Sequence, residues 1–159
     1  MTLADTLQAK LAEWRPAGAG RHSWSETLPD AGWAVGLSAD RADTVGCLAW
    51  ELTLARTSEA PAGLTLKGWA DGIAMRVGGL MEDLKVLEVD DHQQEAILRS
   101  DDPTVKGDDR LYYEVHLRGL SHATVRRFKG SRAAGTRREQ VAFALTHEVL
   151  AKLVEDIAG

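Results

Sequence analysis

The sequence predicts an α+β fold: a two-layer arrangement in which an antiparallel sheet of about seven strands, in the order α-βββ-α-ββββ-α, is covered on one face by helices. Three observations carry this. First, residues 110–129 fold on paper into a hairpin about a three-residue turn at Gly119-Leu120-Ser121. Val115 then meets Val125, Leu117 meets Ala123, Tyr112 meets Phe128 and Glu114 meets Arg126. Apolar, aromatic and opposite-charge partners coincide in one register, each pair contributing roughly 0.2–1 kcal/mol. Second, residues 45–56 alternate as a half-buried strand does, with Leu48, Trp50, Leu52 and Leu54 on one face and Cys47, Ala49, Glu51 and Thr53 on the other. Third, Val141, Leu145, Val149, Leu153 and Ile157 recur every fourth residue, an amphipathic helix whose stripe must cover something apolar.

The remaining elements follow in chain order. Thr2 caps a first helix with Leu3, Leu7, Leu11 and Trp14 on one face, and Pro16-Ala-Gly-Ala-Gly20 ends it. A hairpin follows, residues 22–28 and 33–38, pairing Leu28 with Trp33 and Trp24 with Leu37. Residues 64–84 fit a helix at Leu66, Trp69, Ile73, Val77, Leu80 and Leu84, although Ala70-Asp71-Gly72 is also a hairpin signal. The longer periodicity favours the helix. The four-strand meander opens with residues 85–90 and 94–100, turning near Asp91-His92-Gln93, with Leu87 opposite Ile97 and Val86 opposite Leu98. Residues 101–109 read as a charged loop. Thr136 and Glu139 form a capping box for the last helix, which is expected to run to about Ile157.

Composition bounds the rest. At 159 residues the chain suits a single domain, 1–159, and 44% apolar with 27% charged residues is ordinary for a folded protein. A formal charge of −5 argues against a nucleic-acid partner, which usually meets a basic domain. The single Cys47, the lack of a signal-like apolar stretch in residues 1–20 and of any membrane-length apolar run favour the cytoplasm.

The order of helices and strands in this small acidic chain resembles the type III secretion chaperone-like fold, in layout and not through any residue motif. That resemblance implies a homodimer that binds partner polypeptide along exposed surfaces. Four strands after the middle helix depart from the pattern, and no functional residue carries over.

Candidate chemistry is sparse. His147-Glu148 lacks the second histidine of a zinc-protease motif, because position 151 is Ala. Cys47 has no neighbour in sequence that would stabilise a thiolate. Gly78-Gly79 lacks the Lys and Ser/Thr of a phosphate loop. Tyr112, Glu114, His116 and His122 share a polar face of the hairpin. Glu114, His116 and His122 could supply a metal with two nitrogens and one oxygen, or act as acid and base, while Arg118 and Arg126 beside them oppose a cation. Arg126, Arg127, Lys129, Arg132, Arg137 and Arg138 place six cations in thirteen residues around an expected helix start, a candidate contact for an anion or an acidic partner. The alternative is that they pair with acidic groups, such as those in residues 101–109. Of the five tryptophans, Trp33 and Trp50 read as core, Trp69 faces the helix stripe, and Trp14 and Trp24 read as partly exposed. Together these features favour a non-catalytic, self-associating binding or scaffolding module with a protein partner and no cofactor. An anion or nucleic-acid contact through 126–138 ranks second, and a metal-dependent enzyme using Glu114, His116 and His122 third.

Overall fold

The computed structural model describes residues 1–131 and 137–159. Among them, three helices cover a ten-stranded antiparallel sheet, so the predicted class is observed. The elements are α1 (Leu3–Glu13), β1 (His22–Leu28), β2 (Trp33–Ala42), β3 (Gly46–Arg56), α2 (Leu66–Arg76), β4 (Leu84–Asp90), β5 (Glu95–Ser100), β6 (Thr104–Lys106), β7 (Asp109–Arg118), β8 (His122–Ser131), β9 (Glu139–Val141), β10 (Phe143–Thr146) and α3 (His147–Ala158). The three strands beyond the expected seven are the short β6, β9 and β10. None of the helices is long and apolar enough to cross a membrane among the described residues.

The sheet runs β1-β2-β3-β8-β7-β5-β4. Of the three hairpins whose registers the sequence specifies, two fold throughout in those registers. Leu28 pairs with Trp33 and Trp24 with Leu37, and β7 and β8 pair in step from Asp109↔Ser131 to Arg118↔His122. Gly119 takes the turn at φ +55°, where a side chain would be strained. Away from the register shifts the strands line up, and one apolar rung crosses seven of them: Trp24, Leu37, Leu52, Val125, Val115, Leu98 and Val86. Its five central members are 4% exposed or less. The helices close over this face. Leu7 and Leu11 of α1, Trp69 and Ile73 of α2, and Leu150, Leu153, Val154 and Ile157 of α3 join the sheet in one hydrophobic cluster. The Trp69 indole N–H donates to the Ile157 carbonyl at 2.8 Å, tying α2 to the end of α3.

The structure corrects several expectations. The last helix is half the expected length. Thr136, its expected cap, lies outside the described residues, and Glu139 belongs to a strand. Thr146 is the observed cap, accepting from the Val149 amide at 3.1 Å. The reason is a fork in the sheet. Beyond Leu52↔Val125, β3 and β8 diverge, leaving two edges whose backbone groups need partners. Residues 139–146 fill the fork: β9 pairs with β8 from Arg127↔Val141 to Lys129↔Glu139, and β10 pairs with β3 from Phe143↔Ala49 to Thr146↔Gly46. Only Ala142 separates the two strands.

The β3 strand also changes phase. Ser38 pairs with Glu51 but Ala39 with Ala49, so Trp50 is skipped, and Asp40 is skipped in turn. Cys47 and Ala49 therefore point inward with Leu52 and Leu54, while Leu48 and Trp50 do not share their face. Trp50 is half-buried under the Arg21 guanidinium, 4.3 Å from the ring centroid, and is not core. Leu87 is a second bulge: Val86 faces Leu98 as expected, but Glu88, and not Leu87, faces Ile97, leaving Leu87 47% exposed. The expected loop 101–109 contains β6, paired with β7. Residues 66–76 are helical, as favoured, but the helix stops at Arg76.

Candidate functional site

The outer, helix-free face of the sheet carries a rung of charge next to the apolar one. Lys85 on β4 lies beside Arg99 on β5, Arg99 beside Glu114 on β7, and Glu114 beside Arg126 on β8. The ion pairs cross this rung differently from the expected hairpin pair. Glu114 accepts from Arg99 Nε at 2.8 Å and from Arg138 Nη1 at 2.7 Å, while Arg126 turns the other way to Glu51 at 2.7 Å. The Glu114 side chain is only 10% exposed. Burial pushes its carboxyl upward, but the two guanidinium bonds outweigh burial and hold it below the ordinary glutamate range. Glu114 therefore stands as a fixed anion that orients two arginines. Arg99 lies 5.4 Å from the Tyr112 ring centroid, and Arg138 lies 3.9 Å from that of Phe128. Only Nε of Arg99 is engaged with Glu114, so its two terminal nitrogens keep their donors.

Beside this cluster, where β5 ends and β6 takes over its place along β7, a cleft of about 520 Å³ opens. It is lined by Lys85, Leu87, Arg99, Arg110, Tyr112 and Gly130, among others. A side chain at Gly130 would meet Tyr112 Cε1 at 3.9 Å, so the missing Cβ leaves space over the ring. Lys85 approaches Asp101 at 3.4 Å. Arg110 is exposed and forms no ion pair among the described residues. The cleft thus presents a free guanidinium, a second one held in place, an ammonium, and an aromatic ring beside the half-exposed Leu87.

The basic segment singled out from sequence is dispersed. Arg126 pairs with Glu51, Lys129 with Glu139 at 2.8 Å, and Arg138 with Glu114. Their acidic partners come from β3, β7 and β9, and not from residues 101–109. Arg127 points to the opposite, inner face. There it grips Glu82 with two bonds of 3.0 and 3.3 Å and lies 4.2 Å from the Tyr113 ring centroid. Ser100 and Thr104 donate to the same carboxylate at 2.9 and 3.0 Å. Arg137 is exposed, and Arg132 lies outside the described residues.

Tyr112, Glu114, His116 and His122 do share the outer face, but they do not converge. His116 Nε2 lies 3.6 Å from Glu95, and His122 Nδ1 lies 2.7 Å from the Ser121 hydroxyl. Among the described residues no three His, Cys, Asp or Glu side chains come together as metal ligands. A larger cleft of about 660 Å³ lies near Cys47 and Asp43. Burial, and to a lesser extent Asp43, push the Cys47 thiol up to about 11, so it stays protonated and is a poor nucleophile.

Lys85, Leu87, Arg99 and Arg110 were missed by motif reading. The signal was present, because Val86 opposite Leu98 already places Lys85 beside Arg99. What was missing was the neighbour: β7 follows β5 in the sheet although β6 lies between them in sequence. No protein-family model, curated protein or solved structure matches the chain.

Proposed function

We propose that this chain is a non-catalytic binding module that takes an anionic ligand, a carboxylate or phosphate joined to a planar or apolar group, in the outer-face cleft. The observation that carries this reading is the juxtaposition of Arg110, free of any ion pair among the described residues, with Arg99 and the Tyr112 ring in one open cleft. A guanidinium fork matches the two oxygens of a carboxylate or phosphate, and an aromatic face beside it receives the ligand's flat part. Glu114 supplies preorganisation: it holds Arg99 through Nε and leaves the terminal donors pointed elsewhere. The polar lining suits binding: guanidiniums, the Tyr112 phenol, Lys85 paired with Asp101, and the hydroxyls of Ser100 and Ser131, of which Ser100 is committed to Glu82. This relocates the anion contact from residues 126–138, whose described cations except Arg137 are engaged with carboxylates, to residues 85–112.

Calorimetric titration with phenyl phosphate, benzoate and inorganic phosphate tests the reading. The two aromatic anions should bind more tightly than inorganic phosphate, and binding should weaken as salt rises. Arg110→Glu should abolish it, and Glu114→Gln, a residue outside the cleft lining, should weaken it by loosening Arg99. Aromatic-anion binding that is indifferent to Arg110→Glu, or no binding by either aromatic anion, overturns the proposal.

A further inference from the structure

The sheet ends in two edges that differ in construction. At one end, β4 is broken by the Leu87 bulge and carries Lys85, Glu88 and Asp90, the devices that prevent one edge from pairing with another. At the other, β1 pairs with β2 over seven consecutive residues without a bulge, and its sequence, His22-Ser-Trp-Ser-Glu-Thr-Leu28, contains no Pro and no Lys. Ser23, Ser25 and Thr27 are exposed, and among the described residues no strand pairs with the far side of β1. A regular edge of this length, with Glu26 its only carboxylate, is a template for another strand.

We propose that the occupant is β1 of a second copy, antiparallel and centred on Trp24, joining two sheets across a two-fold axis. Side-chain type selects this register. With Trp24 opposite its own counterpart, His22 faces Glu26 of the second copy and Ser23 faces its Ser25. Shifting the centre by one residue to Ser25 sets Trp24 against Glu26 and His22 against Leu28, which loses both matches. A two-fold axis perpendicular to the sheet also keeps like faces together, so the α1 helices of the two copies come to lie on the same side. Trp24, half-buried and 6.3 Å from Trp14, and Glu26, which binds Lys10 of α1 at 3.0 Å, stand ready on that side. The proposal is independent of the cleft, which lies toward the β4 edge.

Sedimentation velocity across micromolar to millimolar concentrations reads the outcome. The chain should sediment as a dimer. The pair Ser23→Lys with Ser25→Lys, both exposed positions, brings lysines face to face across the join and should give a monomer, as should Ser23→Glu with Ser25→Glu. Mixing the lysine and glutamate forms should restore a dimer containing one of each. A native chain that is monomeric throughout, lysine and glutamate forms that both remain dimeric, or a mixture that fails to associate would each overturn the proposal.

Discussion

His147 is the residue whose surroundings make the sharpest demand on solution conditions. It is 2% exposed at the start of α3, and neither ring nitrogen has a hydrogen-bond partner among the described residues. Burial holds its pKa below the ordinary histidine value. Asp43 pulls the other way, and Arg15 adds to the depression. The helix N-terminus also disfavours a cation there. An unfolded chain takes up this proton near pH 6.5 whereas the folded one resists it, so the folded state loses stability as pH falls below about 6.5. At higher pH this contribution is fully present. Denaturant titrations between pH 7.5 and 5 should show stability declining as pH falls, through the proton this group takes up only on unfolding. The same titrations on His147→Phe should show a shallower decline, and an unchanged slope would remove His147 as its source. Glu82 shows the opposite solution for a buried polar group. It lies outside any helix, yet its carboxylate is closed by Arg127, Ser100 and Thr104, so the segment after α2 is fastened to the sheet by a fully satisfied network.

At the scale of elements, what could be read from sequence was what local pairing decides. The β1–β2 and β7–β8 hairpins were legible because a short turn joins strands whose apolar and aromatic pairs coincide in one register, Leu28 with Trp33 and Trp24 with Leu37 in the first, Val115 with Val125 and Tyr112 with Phe128 in the second. Residues 139–146 were not. Val141 and Leu145 satisfy a helical period, and Val141, Phe143 and Leu145 equally satisfy alternation. The decision rests on the vacant edges of β3 and β8, strands about 70 residues apart in sequence that become neighbours only in the folded sheet. The candidate site fell between these cases: Tyr112, Glu114, His116 and His122 were assigned to one face correctly, but Leu87 was set opposite Ile97, which Glu88 faces, and the cleft arises from the junction of β5, β6 and β7. Close packing at the fork can be tested at Gly46. A Cβ there would sit 2.6 Å from the Leu145 carbonyl oxygen and 3.1 Å from Thr146 Cα, both backbone atoms of β10. Gly46→Ala should therefore destabilise by about 1–3 kcal/mol through strain at the β3–β10 pairing. The measurement is chemical denaturation, and hydrogen exchange should localise the loss to residues 143–146 and 46–49. A neutral substitution would mean that β10 yields easily.

Across the whole molecule, the seven-member apolar rung links the N-terminal hairpin to the far edge through side chains of one kind. Leu52 sits near its middle, 0% exposed, between Leu37 and Val125. Leu52→Ala should cost roughly 2–5 kcal/mol, and tryptophan fluorescence and far-ultraviolet circular dichroism should still report one coincident transition. Two separate transitions would show that the β1–β3 hairpins and the β4–β8 strands unfold independently. The predicted α+β class held at this scale because the count of apolar faces demanded two layers, whatever the number of short strands.

The fork has one more consequence, for the order in which the protein is made. Both of its arms, residues 46–56 and 122–131, leave the ribosome before the plug at residues 139–146 that joins them. A chain in which β3 and β8 have paired therefore carries an open seam in the middle of its sheet, not only at its rims, until residues 139–146 have docked between them.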